Sequence, residues 1–184
     1  MSSVVISGNT SGTITLDAPA VAGTTTLTLP ATSGTVLTTA SNTNFPAGSV
    51  LQVITGTLAT AVGFTGNTFT DLGLSASITP SSSSNKILII VTLMNVWKTN
   101  ANTYYGAQLQ RNGTVIQTIQ SALYTNSTNE RQDAANTFSI YDSPATTSSI
   151  TYKIQMRNEA TSGTITVNGS NYGPSTITLM EVTP

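Results

Sequence analysis

Glu130 and Asp133 form the one pair of acidic residues close together in this chain. Held about 5 to 9 Å apart across a groove, two carboxylates can share the work of acid and base, or of acid and nucleophile, in glycoside cleavage. The surrounding segment, Asn126-Ser-Thr-Asn-Glu-Arg-Gln-Asp-Ala, has the composition of a solvated loop with Arg131 lying between the two charges, and this is the reading it favours. Asp71, Asp142 and Glu159 stand alone in the sequence and read as turn or rim residues; in Asp142-Ser-Pro144, Asp accepts local backbone bonds and Pro fixes φ. The chain has no His, which removes the commonest general base, the commonest metal ligand and every Ser-His-Asp arrangement. It has no Cys, which removes disulfides, thiolate metal sites and thiol nucleophiles. No Gly-rich motif precedes a helix, so no phosphate cradle is expected. These absences predict a protein that is not an enzyme and carries neither metal nor cofactor.

Binding chemistry has better material. Trp97, Tyr104 and Tyr105 flank the polar connection Lys98 to Thr103, and aromatic rings beside a polar loop are a platform on which sugar rings stack. The alternative is packing: Trp97 ends a buried strand, and the tyrosines fill the core or a subunit seam. Tyr124 and Tyr172 lie in other loops and could line the same kind of surface.

The elements that must position these residues are strands. Apolar residues make up 38% of 184 residues, enough for one core plus an extension, and about one residue in five is Thr, which favours strands. Charged residues are only 7% and the net charge is −1, so nucleic acid and anionic membrane are poor partners and the working state is expected to be an assembly. The most apolar run, Ile87 to Val91, is too short to span a bilayer, and Met1-Ser-Ser does not begin a secretory signal, so synthesis in a host cytoplasm is expected.

Before Phe45-Pro-Ala-Gly48 the segments are short. Ile14 and Leu16 alternate with Thr13 and Thr15, and Leu27 and Leu29 with Thr26 and Thr28, the period of half-buried strands with too few apolar groups to form a core of their own. Ile14, Leu16, Leu27 and Leu29 are therefore the candidate attachment residues, completed by another protein surface. Residues 1–46 are expected to form this strip and residues 47–184 a head. Within the head, strands are expected at about 50–58, 74–79, 86–97, 104–111, 114–120, 135–141, 149–157, 163–167 and 175–182, without helices for crossovers. Asn112-Gly113 predicts a type I′ hairpin turn that sets the register of its strands. The continuous run Ile87-Leu-Ile-Ile-Val91 predicts burial on both faces, in a central strand or under a neighbouring subunit. On the last strand Ile177, Leu179 and Glu181 share one face. The fold class is all-β: a short strip of strands followed by an antiparallel jelly-roll sandwich, expected to be trimeric.

Two strings carry a family resemblance. The words "GTITL…AP…GT…TLTLP…GTVL" in the first forty residues closely resemble the N-terminal segments of tail-fibre and head-fibre proteins of bacteriophages, notably marine ones. Further on, "SITPSSSSNKILII", "LQRNGT", "YDSPATTSSITYKIQMR" and "STITLMEV", spread over residues 74 to 182, resemble a β-sandwich domain found at the C-terminal end of phage fibre and virion appendage proteins. The resemblance implies a trimeric jelly-roll head, related in architecture to C1q and tumour-necrosis-factor-like domains, on a virion component anchored to capsid or tail by its N-terminal segment. A structural fibre or capsid decoration protein at the virion surface is the function expected, with a tail-fibre head that recognises host surface glycan as the alternative.

Overall fold

The computed structural model describes residues 3–7, 9–17, 21, 23–24, 26, 28, 31–34, 45–120, 125–129, 131–132, 135–160, 162–168 and 173–184. The chain divides into two compact units, Met1–Thr38 and Thr39–Pro184. Leu27, Leu29, Tyr124, Glu130, Asp133 and Tyr172 lie outside the described residues.

In the first unit β1 (Ser3–Ser7) pairs antiparallel with β2 (Thr13–Asp17), Val4 opposite Leu16 and Ile6 opposite Ile14. Strand alternation therefore gathers Val4, Ile6, Ile14 and Leu16 on one face of the ribbon.

The second unit holds twelve strands among its described residues. They are β3 (Val50–Leu58), β4 (Val62–Phe64), β5 (Thr70–Ile78), β6 (Lys86–Leu93), β7 (Val96–Lys98), β8 (Tyr105–Arg111), β9 (Thr114–Gln120), β10 (Arg131–Gln132), β11 (Asn136–Asp142), β12 (Ile150–Asn158), β13 (Ile165–Val167) and β14 (Ser175–Val182). Two four-stranded antiparallel sheets, in the orders β11-β6-β14-β3 and β5-β12-β8-β9, form the sandwich, and their order is the double Greek key of a jelly roll. A third sheet, β10-β7-β13-β4, is built from the four connections β3–β5, β6–β8, β9–β11 and β12–β14, so it caps one end of the sandwich. Among the described residues no helix is long and apolar enough to cross a membrane.

The core follows from alternation. Ile87, Ile89, Val91 and Leu93 of β6, Ile154 and Met156 of β12, and Ile177 and Leu179 of β14 are all fully buried. Each such aliphatic side chain contributes about 1.5–3 kcal/mol of burial. The Ile87–Val91 run is a central strand, as its composition predicts, but its two faces differ: Leu88 and Ile90 are only half-buried. The sheet has a second sandwich layer on one side alone.

Three local departures have physical causes. The expected strand over 86–97 breaks at Asn95, whose φ of 46° is left-handed, and the chain turns from the sandwich into the cap at β7. The strand expected from residue 74 begins at Thr70: Leu72 is buried like Leu74, and Gly73 between them, at φ 84°, lies in a bulge where the register with β12 shifts between Lys153 and Gln155. Asn112 and Gly113 both adopt positive φ, 48° and 86°, as a type I′ turn requires. That turn nevertheless does not fix the whole register. Gln110 pairs with Val115 and Leu109 with Gln117, so Ile116 is an extra residue.

Candidate functional site

Sequence reasoning offered two surfaces, one in each unit. On the hairpin, Ile14 and Leu16 are 66% and 56% exposed, beside Val4 at 61% and Ile6 at 52%. A two-stranded ribbon has no second layer to cover them. The contribution of Val4 and Ile6 was hidden in the sequence, because Val4-Val-Ile6 shows no alternation.

The second surface is the cap. β7 lies between β10 and β13, with Trp97 opposite Arg131 on one side and Thr166 on the other. Val96 and Lys98 turn inward and are fully buried, so alternation turns Trp97 outward, where it is half-buried. Its indole N–H is shielded from solvent and has no acceptor among the described residues. Lys98, which the sequence suggested was part of a polar loop, is instead an anchor: its Nζ donates to the Thr125 carbonyl at 3.0 Å. Neighbouring polar groups knit the cap to the sandwich. Asn168 Nδ2 donates to the Leu58 carbonyl at 2.6 Å, Ser175 Oγ donates to Asn168 Oδ1 at 2.7 Å, and the Met94 N–H donates to Ser175 Oγ at 2.9 Å.

The three aromatic candidates have different fates. Trp97 sits on the cap sheet; Tyr104 is half-buried on the connection into β8, its carbonyl accepting the Glu159 N–H at 2.8 Å. Tyr105 is 5% exposed, part of the core, and burial pushes its hydroxyl pKa up. Adjacent residues at the start of a strand point to opposite faces, so the pair could not both face solvent.

The carboxylates of the sandwich are held by donors. Asp142 takes both oxygens to Arg111 Nη1 at 3.0 and 2.9 Å and accepts Tyr152 Oη at 2.6 Å; burial, and then that bond, push the Tyr152 hydroxyl far up. Glu159 pairs with Arg157 at 2.9 Å, and the Arg157 guanidinium lies 4.3 Å over the Phe69 ring. Asp71 accepts Lys153 Nζ at 2.9 Å and Gln155 Nε2 at 2.6 Å, and these donors hold its carboxyl below the ordinary range.

Glu181 is fully buried on the core face of β14, with the Ile177 and Leu179 whose face it shares. Its Oε1 accepts the Ser81 N–H at 2.6 Å, Ser81 Oγ at 2.8 Å and Asn85 Nδ2 at 2.6 Å, and its Oε2 accepts Gln52 Nε2 at 2.5 Å. Burial alone would raise its pKa, but the four donors outweigh that and hold it below the ordinary value. This clamp fastens the Ser81–Asn85 turn to the last strand. Among the described residues no three or more His, Cys, Asp or Glu side chains come together as a metal site.

No family model and no curated protein matches this chain. Solved structures with distant likeness include one of infectious bursal disease virus Gx strain (17% identity, 83% of this chain, 42% of that chain, TM-score 0.42). Another is the D431N mutant VP2 protein of infectious bursal disease virus in derived T=1 particles (16% identity, 82% of this chain, 40% of that chain, TM-score 0.42). A third is dimeric latent PorU from Porphyromonas gingivalis (9% identity, 78% of this chain, 14% of that chain, TM-score 0.44). This chain spans less than half of the length of each.

Proposed function

We propose that this chain is a non-enzymatic structural component of a phage virion, a homotrimeric fibre or capsid decoration protein at the particle surface. Its N-terminal segment anchors it to other virion proteins and its jelly roll supplies the displayed surface. The observation that carries the reading is the face formed by Val4, Ile6, Ile14 and Leu16, each more than half exposed on a ribbon of two strands. Four large aliphatic groups so arranged are an interface waiting for its partner. The resemblance of the surrounding words to fibre attachment segments names the kind of partner. Trimerisation has its own support in the outward side of the β11-β6-β14-β3 sheet. Here Leu88, Ile90 and Met180 are half-buried and Val53 is 52% exposed in a field of threonines, with Lys86 at one end of β6 as the charge on that face.

The test uses particles lacking the protein. Wild-type chain is expected to co-sediment with them, while Ile14→Asp is expected to remain in the supernatant with an unchanged head melting transition. Equal binding of the two would overturn the assignment of the anchor. Light scattering tests the trimer, and a monomer at micromolar concentration would defeat it. The glycan-binding alternative rests on half-buried Trp97 and Tyr104 at the cap, and a glycan array with the purified chain separates it from a purely structural role.

A further inference from the structure

The two long sides of the sandwich are unlike. On one side β3 lies directly against β5: a Cβ placed on Gly56 would come 2.0 Å from the Ser75 carbonyl oxygen, so only glycine permits that approach. On the other side β9 and β11, the end strands of their sheets, stand apart. An open groove of about 480 Å³ runs between them, lined by Gln117 and Ile119 from β9 and by Phe138, Ile140 and Tyr141 from β11.

Edge strands in monomeric proteins are blunted by bulges, charges or proline. β5 has the Gly73 bulge and the Asp71–Lys153 ion pair, and β9 has its bulge at Ile116. β11 has none of these along Thr137–Tyr141. Its seven residues pair with β6 in unbroken register, Asn136 opposite Leu93 through Asp142 opposite Ile87, and no described strand pairs with its far side. Its residues, Asn-Thr-Phe-Ser-Ile-Tyr-Asp, are rich in strand formers and carry no charge before Asp142.

The same seven residues are nearly palindromic about Ser139. Laid antiparallel on a second copy with Ser139 opposite Ser139, they place Phe138 opposite Ile140 on the core-facing side, both half-buried and packed against the core. Thr137 falls opposite Tyr141 on the outer side, where both are exposed. Asp142 falls opposite Asn136, so no like charges meet. We propose that β11 is a two-fold docking edge for a second copy of this chain, joining two β11-β6-β14-β3 sheets into one continuous eight-stranded sheet. A two-fold contact of this kind is isologous and self-limiting. It lies in the plane of the sheet, leaves the outer face proposed for the trimer uncovered, and does not depend on the virion reading.

A single cysteine tests it, since the natural chain has none. Facing residues of an antiparallel pair have Cα atoms about 4.5 or 5.5 Å apart, within the span of a disulfide at about 4.4–6.8 Å. Full-length Ser139→Cys under mild oxidation is expected to run as a covalent dimer on a non-reducing gel. Thr137→Cys alone is not expected to cross-link, whereas Thr137→Cys co-expressed with Tyr141→Cys is. A Ser139→Cys chain that stays uncross-linked while its thiol reacts with a soluble reagent overturns the proposal. So does Thr137→Cys cross-linking as readily as Ser139→Cys. A second measurement uses charge at the same exposed position: Ser139→Asp and Ser139→Lys should each lose the two-fold association in light scattering and regain it when mixed. Association unchanged in both single variants overturns the proposal equally.

Discussion

The ribbon of β1 and β2 and the sandwich of β3–β14 are written with the same alphabet of aliphatic and hydroxyl residues in alternation, with opposite results. Ile14 and Leu16 are more than half exposed, while Ile177 and Leu179, in the same Thr-Ile-Thr-Leu wording, are fully buried. The difference lies in what the chain lays over the face. Two four-stranded sheets supply a second layer for one side of each other, and a pair of strands supplies none. Alternation thus specifies that a face exists. Strand number decides whether that face becomes a core or an interface.

The same charge placed in the two regions should have the most unequal effects. Ile89→Asp buries an unpaired carboxylate and is expected to cost several kcal/mol, enough to prevent the sandwich from folding, seen as loss of the melting transition in circular dichroism. Ile14→Asp should leave that transition in place.

Next in size is Glu181→Gln, which turns an amide toward the donors of Asn85 and Ser81. It is expected to cost about 2–4 kcal/mol, roughly 5–15 °C in melting temperature for a chain of this size. The clamp also sets the acid limit. Because the folded pKa of Glu181 is lowered, its stabilisation is present above the ordinary carboxylate range and is lost as pH falls through the folded value. Wild-type melting temperature should hold level from neutrality to about pH 5 and fall below about pH 4, with a shallower acid slope in Glu181→Gln.

Gly56→Ala should cost about 1–3 kcal/mol because its new methyl meets the Ser75 backbone. Gly106→Ala meets side-chain atoms of Glu159 and Arg157 rather than backbone, so it should disturb their ion pair and cost less in the same melt. The smallest effect is expected at the surface: Lys153→Ala breaks its 2.9 Å pair with half-exposed Asp71 and should shift stability by under about 0.5 kcal/mol.

The long strands and the Asn112-Gly113 turn were legible because their signals are local: a period of two over seven or more residues, and a dipeptide that tolerates positive φ. The short strands β4 and β7 were not read as separate elements, since β7 continues the apolar residues of β6 and β4 follows β3 closely, and what holds both is pairing with the distant β13. The cap was invisible as a unit for the same reason. The Glu181 clamp joins groups about a hundred residues apart, and only the shared face of Ile177, Leu179 and Glu181 hinted at it. Tyr104 and Tyr105 looked equivalent in sequence, and one step of strand geometry separates them.

The strand order also sets a timetable. β14 follows β3 and β6 by many residues, yet it lies between β6 and β3, with Val50 paired to Val182 at one end and Leu58 to Ser175 at the other. On the ribosome, β3 and β6 emerge long before the strand that joins them, and pairing over so many residues is slow even in a free chain. Until β14 arrives, Ile87-Leu-Ile-Ile-Val91 is an uncharged, proline-free segment with one edge unpaired, the kind that seeds cross-β stacking between nascent chains. The yield of this protein in a host should therefore be set by how long that run waits, so that slower synthesis between β6 and β14 increases the insoluble fraction without changing the stability of the molecules that finish.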